Sequence, residues 1–167
     1  MQPGEALGIA AQIAVALAGF AGVVVVFRSS SLHDWAPRDR FRLLILIGNA
    51  LLPLFSCLFG MFLLTINPPP VSIWHWGSAF SLLLSFPYGF LIWRRLSALG
   101  PTVIKTMGGY RYVFYLIGAL GAAVGLFQAY NVLVWGVFWA FYAAIIFPLA
   151  VGSLQFALMI FSPPAKG

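Results

Sequence analysis

Few residues in this chain can do chemistry. Glu5, Asp34 and Asp39 are its acids, His33 and His75 its histidines, and Cys57 its single thiol. The acids all sit at or beyond the ends of long apolar runs, so none lies within hydrocarbon to bind and release a proton or cation. His33 and His75 fall at opposite ends of such runs, too far apart to ligate one haem or metal together. Cys57 has no second cysteine to pair with and reads as a small packing residue. The segment with His33, Asp34 and Asp39 beside several arginines is the one place for acid–base or phosphate chemistry. It carries no glycine-rich phosphate loop. It reads as a solvated loop whose arginines meet anionic lipid. The sequence therefore implies no enzyme, no catalytic residue, no metal and no cofactor.

The elements that would position these groups are greasy. Hydrophobic residues make up 62% of the 167 and charged residues 7%, against roughly a quarter charged in soluble domains. The clearest stretch opens on Arg38, Arg40 and Arg42, runs uncharged from Leu43 to Ile66 and stops at Asn67-Pro68-Pro69-Pro70. About 20 apolar residues suffice to cross hydrocarbon. Similar runs predict five spans, at about 6–27, 41–66, 73–93, 112–130 and 138–161. The expected fold is all-α: a polytopic membrane protein with five transmembrane helices in one bundle, residues 1–167 forming a single domain. Pro53, Pro87 and Pro148 are expected inside spans, where neighbouring helices re-satisfy freed carbonyls. The first apolar run follows no basic region and is expected to be retained as a span.

Charge then sets orientation. The link between spans one and two carries Arg28, Arg38, Arg40 and Arg42 with its flanks, and the link between three and four carries Arg94, Arg95, Lys105 and Arg111. The other two links carry no charge. Positive residues favour the cytoplasmic side, so the N-terminus is expected outside and the C-terminus in the cytoplasm. The net charge of +6 marks topology rather than nucleic-acid binding. Arg38, Arg40, Arg94 and Arg95 are the expected contacts to anionic headgroups. Low charge and short links point to a bacterial inner membrane.

Polar and small residues recur at helical spacing. Span two places Asn49, Pro53, Ser56, Cys57 and Gly60 at offsets 0, 4, 7, 8 and 11; span three places His75, Ser78, Ser81, Ser85 and Tyr88 at 0, 3, 6, 10 and 13. Span one aligns Gly8, Gln12, Val15, Gly19 and Gly22, and span five aligns Ala144, Pro148, Gly152 and Gln155. Such stripes are expected to face the bundle interior, with bulky side chains toward lipid. The candidate interior polar residues are Gln12, Asn49, His75, Ser78, Ser81, Ser85, Gln128 and Gln155. Gln12, His75 and Gln128 fall in an outer layer, and Asn49, Ser85 and Gln155 in an inner one, with a narrow apolar waist between. Gly118, Gly121, Gly125 and Ala129 on span four are the candidate close-packing face, with another span of the same chain the favoured partner over a second copy.

Three functions fit. The favoured one is a non-enzymatic subunit that forms an oligomer or joins a larger membrane complex. The alternative is a small facilitator, channel or binding protein for a small molecule or lipid, with an interior polar pocket. A lipid-modifying enzyme acting through the first basic link is the least supported. Orientation is directly measurable. In a Cys57→Ala background, a membrane-impermeant thiol reagent added outside should label a cysteine placed at Pro69 and spare one at Thr102. The reverse pattern would invert the topology.

Overall fold

Proline at the first position of a helix costs nothing, because the N–H it lacks would have no intrahelical partner. Pro37 opens α2 in this way, with Asp39 in the first turn, where a carboxylate suits the helix dipole. The computed structural model describes residues 1–27, 37–66, 72–98 and 110–161. It has α1 (Pro3–Phe27), α2 (Pro37–Leu64), α3 (Ile73–Ala98), α4 (Tyr110–Tyr130) and α5 (Phe138–Phe161), with a π-helical turn, Asn131–Trp135, between the last two. All five helices are long and apolar enough to cross a membrane. The described residues hold no strand. The two basic links and the proline turn lie largely outside the described residues, as do His33 and Asp34. Helix α2 begins four residues before the expected Phe41 and α3 runs past Arg94 and Arg95 to Ala98.

Side-chain pairs fix the packing directions. Asn49 meets Tyr88 and Ser56 meets Ser81, so α2 and α3 are antiparallel. A methyl added at Gly60 would meet Leu7 and Phe141, and one at Gly152 would meet Leu17 and Asn49. Those pairs run α5 against α2 and alongside α1. Gln128 meets Ala140 and Gly121 faces Phe147, so α4 and α5 are antiparallel. The chain therefore alternates direction at every link. Arg40 and Arg42 at the start of α2 and Arg94 and Arg95 at the end of α3 come to one end of the bundle. The other end gathers aromatic rings, with Trp135 between Tyr130 and Trp139 at centroid distances of 4.7 and 5.4 Å.

Helix α2 is central: half of its apolar window is buried, against 11% for α4. The main core joins Leu7, Ala10, Ala14 and Leu17 of α1 to Ala50 and Cys57 of α2 and Phe141, Ile145 and Leu149 of α5. The buried face of α1 is thus the Leu7, Ala10, Ala14, Leu17, Ala21 stripe. The expected Gly8, Gln12, Gly19, Gly22 stripe points the other way. Gln12 is exposed, and nothing lies within 4 Å of where a side chain would begin at Gly8, Gly19 or Gly22. The physical reason is that alanine already allows close helix approach and, unlike glycine, buries a methyl in the contact.

Gly60 is the tightest crossing in that core. Its ideal Cβ would lie 2.9 Å from Leu7 Cδ1 and 3.0 Å from Phe141 Cε1. Gly60→Leu should lower stability to denaturation in detergent by about 1–3 kcal/mol through overpacking. Gly89→Leu, at a site with nothing within 4 Å, should change it little.

Candidate functional site

In an apolar interior an amide or hydroxyl left without a hydrogen bond costs on the order of 1–3 kcal/mol. The polar residues of α3 are paired in a row that runs along the bundle. Toward the arginine-bearing end, Asn49 Nδ2 donates to the Tyr88 hydroxyl at 3.0 Å and to the Ile45 carbonyl at 2.8 Å. The Tyr88 hydroxyl donates in turn to the Ile45 carbonyl at 3.2 Å. The Tyr88 ring occupies the space above Gly48 that a side chain there would fill. Next along α3, the Ser81 hydroxyl donates to Ser56 Oγ at 3.0 Å, both buried.

At the aromatic end the row crosses to the π-helical turn. Asn131 Nδ2 donates to Ser78 Oγ at 2.7 Å and to the Val137 carbonyl at 3.2 Å, and Asn131 Oδ1 accepts from Val137 N–H at 3.0 Å. One buried amide thereby holds both sides of the reversal between α4 and α5. His75 Nδ1 lies 2.7 Å from the Val132 carbonyl. A carbonyl only accepts, so Nδ1 carries the hydrogen in this contact. The turn ends on Gly136, whose φ of 60° lies in the left-handed region. The His75 ring fills the space where a Gly136 side chain would stand.

The eight candidate polar residues therefore separate. Asn49, His75, Ser78 and Ser81 belong to this row. Gln128 and Gln155 are buried on the α4 and α5 side. Gln128 Nε2 donates to the Ala140 carbonyl, while its Oε1 has no partner. Gln155 is fully buried with neither amide atom bonded. Gln12 and Ser85 are exposed, and Ser85 makes only a local 3.4 Å contact to the Leu82 carbonyl. The expected apolar waist is also corrected, because the Ser56–Ser81 pair sits between the two layers and makes the polar row continuous. No group of three metal-ligating side chains exists among the described residues.

The close-packing face of α4 splits as well. An ideal Cβ at Gly121 would lie 3.5 Å from Phe147 Cε1 of α5, but one at Gly118 or Gly125 would have nothing within 4 Å. Ala129 is half-buried. The expectation that this whole face meets another span of the same chain is corrected, since Gly121 is set against α5 while Gly118 and Gly125 have open space where a side chain would begin.

Three buried polar residues lie outside the eight interior candidates, one of them Asp39, which the sequence places in the solvated basic link. Asn131 falls in the uncharged link between spans four and five, where Gly136 is the turn signal. Asp39 and Arg42 are buried near the start of α2, Arg42 being the largest fully buried side chain; both make interactions there. The ends of amphipathic stretches usually snorkel to water, so burial at Arg42 had no local signature.

The fold and this polar row define an all-helical bundle of five membrane-length helices, cross-linked by paired polar side chains. Comparison with protein-family models, with curated proteins and with solved structures finds no match to this chain.

Gly136→Ala should be costly on two counts, the left-handed backbone and the His75 ring, together at least about 2 kcal/mol. In a double-mutant cycle read by denaturation in detergent, His75→Ala should recover the steric part and leave the backbone part. Full additivity of the two substitutions would show that the ring does not depend on Gly136.

Proposed function

We propose that this protein is a non-enzymatic membrane subunit that assembles, with further copies or with a larger membrane complex, through the outward small-residue faces of α1 and α4. The observation that carries the reading is the open space at Gly8, Gly19 and Gly22 on one helix and at Gly118 and Gly125 on the other. Small residues let helices approach closely in lipid, and lipid tails gain nothing from them. Gln12 strengthens the case on α1. It projects from the same outward face in mid-helix, where a carboxamide facing hydrocarbon lacks partners that a neighbouring helix can supply. The buried α3 row supports a structural role for the interior, since its groups are spent on one another.

In this reading the arginine-bearing end faces the cytoplasm of a bacterial cell, with Arg38, Arg40, Arg94 and Arg95 against anionic headgroups of the inner membrane. Arg94 and Arg95 are exposed beside Trp93, a combination suited to the headgroup layer. The alternative, a small facilitator or binding protein with an interior pocket, draws on a different observation: the unbonded amide atoms of Gln128 and Gln155.

The assembly reading separates cleanly by mutation. Gly118→Leu with Gly125→Leu, and Gly8→Leu with Gly19→Leu, should each reduce the mass of the particle in mild detergent while leaving the thermal midpoint of the protomer nearly unchanged. Gly121→Leu, which would press on Phe147, should instead lower the midpoint. Unchanged mass in both double variants would remove assembly through these faces.

A further inference from the structure

Gln155 is the most anomalous polar group in the bundle. It is fully buried, and among the described residues neither its Nε2 nor its Oε1 has a partner. Its direction follows from its neighbours on the helix. Gly152, Gln155 and Met159 share one face of α5 at offsets 0, 3 and 7. A methyl at Gly152 would meet Leu17 and Asn49, and Met159 packs with Ala21, Leu43 and Leu46. Gln155 therefore points into the seam between α1 and α2, at the level of Leu46 and Asn49.

That seam already contains a second polar group of unusual status. The carbonyl of Asn49 would ordinarily accept from the N–H of residue 53, which here is Pro53 and has none. Gly152 brings α5 close to that carbonyl, since an ideal Cβ there would lie 3.7 Å from its oxygen, an ordinary contact distance. On the α2 side, Arg42, Leu46, Asn49 and Pro53 fall on one face at offsets 0, 4, 7 and 11. A donor-and-acceptor amide and a proline-freed carbonyl thus come to one level, on helices brought close by Gly152 and walled by Leu17, Ala21 and Leu46.

We infer that this seam is a binding site for water, which bridges the Gln155 carboxamide to the Asn49 carbonyl. Water fits because the site offers both a donor and acceptors, and buried waters in proteins take two to four such partners. A proline-interrupted membrane helix also regains its lost bonds through ordered water. The site lies toward the arginine-bearing end, on the same face of α2 as buried Arg42, whereas Ser56 and Ser81 bond directly to each other. It is a structural role for Gln155 that requires neither assembly nor transport.

The test uses the whole protein in lipid nanodiscs, labelled with ¹⁵N in glutamine side chains. The chain has Gln2, Gln12, Gln128 and Gln155, so Gln155 is assigned by elimination with Gln2→Ser, Gln12→Ala and Gln128→Met, independent of any Gln155 variant. Magnetisation transferred selectively from water should reach the Gln155 amide hydrogens and not those of lipid-facing Gln12. Gln155→Leu should then lower the thermal midpoint by about 2–4 °C or more, since it removes bonded water partners. No transfer from water to Gln155 in the unmodified protein would overturn the inference. So would a higher midpoint for Gln155→Leu, the result expected of an amide buried dry.

Discussion

A polar group surrounded by apolar matter must find a partner, and in this chain that requirement falls mainly on α3. Its row from His75 to Tyr88 has a partner on another element at every buried step. Asn49 and Ser56 answer from α2, and Asn131 and the Val132 carbonyl answer from the π-helical turn that follows α4. These contacts tie α3 to both of its neighbours in sequence. Few of α3's bulky side chains are buried, so area burial contributes little there and hydrogen bonding sets the register. Sliding α3 by one turn would leave several groups unpaired at once, which is why the row specifies one arrangement.

The opposite side of the bundle is held in another way. Between α1, α2 and α5 the contact is made by Ala10, Ala14, Ala50 and Gly60 against Leu7, Phe141 and Ile145. Small residues on one helix receive large ones from the next, and dispersion over close distances does the holding. The two modes meet in α2, which offers Asn49 and Ser56 to α3 and Gly60 to α1 and α5. Its central position follows from carrying both kinds of face.

The sequence made the spans, their alternation and the polar faces of α2 and α3 readable, because length and charge are strong signals and hydrogen-bonding residues at helical spacing have one sensible direction. It misdirected the reading on α1 and α4. In water, an apolar stripe must turn inward; in lipid, bulk and interior are equally apolar, so a stripe of glycines defines a face without saying where it looks. On α1 two small-residue faces competed, and the alanine one won. Asn131 was hidden for a different reason. A lone polar residue near a glycine reads as part of a turn, whereas here the turn is π-helical and the asparagine is its buried fastener.

Helix α4 shows the two effects together. It is the least buried of the five helices, yet it is held firmly at the aromatic end, where Gln128 reaches α5 and Asn131 reaches α3. Further along, Ile117 packs on the Phe41, Ile45 and Val151 cluster and Gly121 faces Phe147, while nothing lies within 4 Å of an ideal Cβ at Gly118 or Gly125. A helix that needed only to fill lipid would gain by carrying leucine at those positions, both in propensity and in dispersion. Glycine there forgoes that gain, and in the assembly proposed above a close-approaching helix from outside the chain would return it. In that proposal α4 receives the neighbour at Gly118 and Gly125, while Gln128, Gly121 and Ile117 hold it to the bundle.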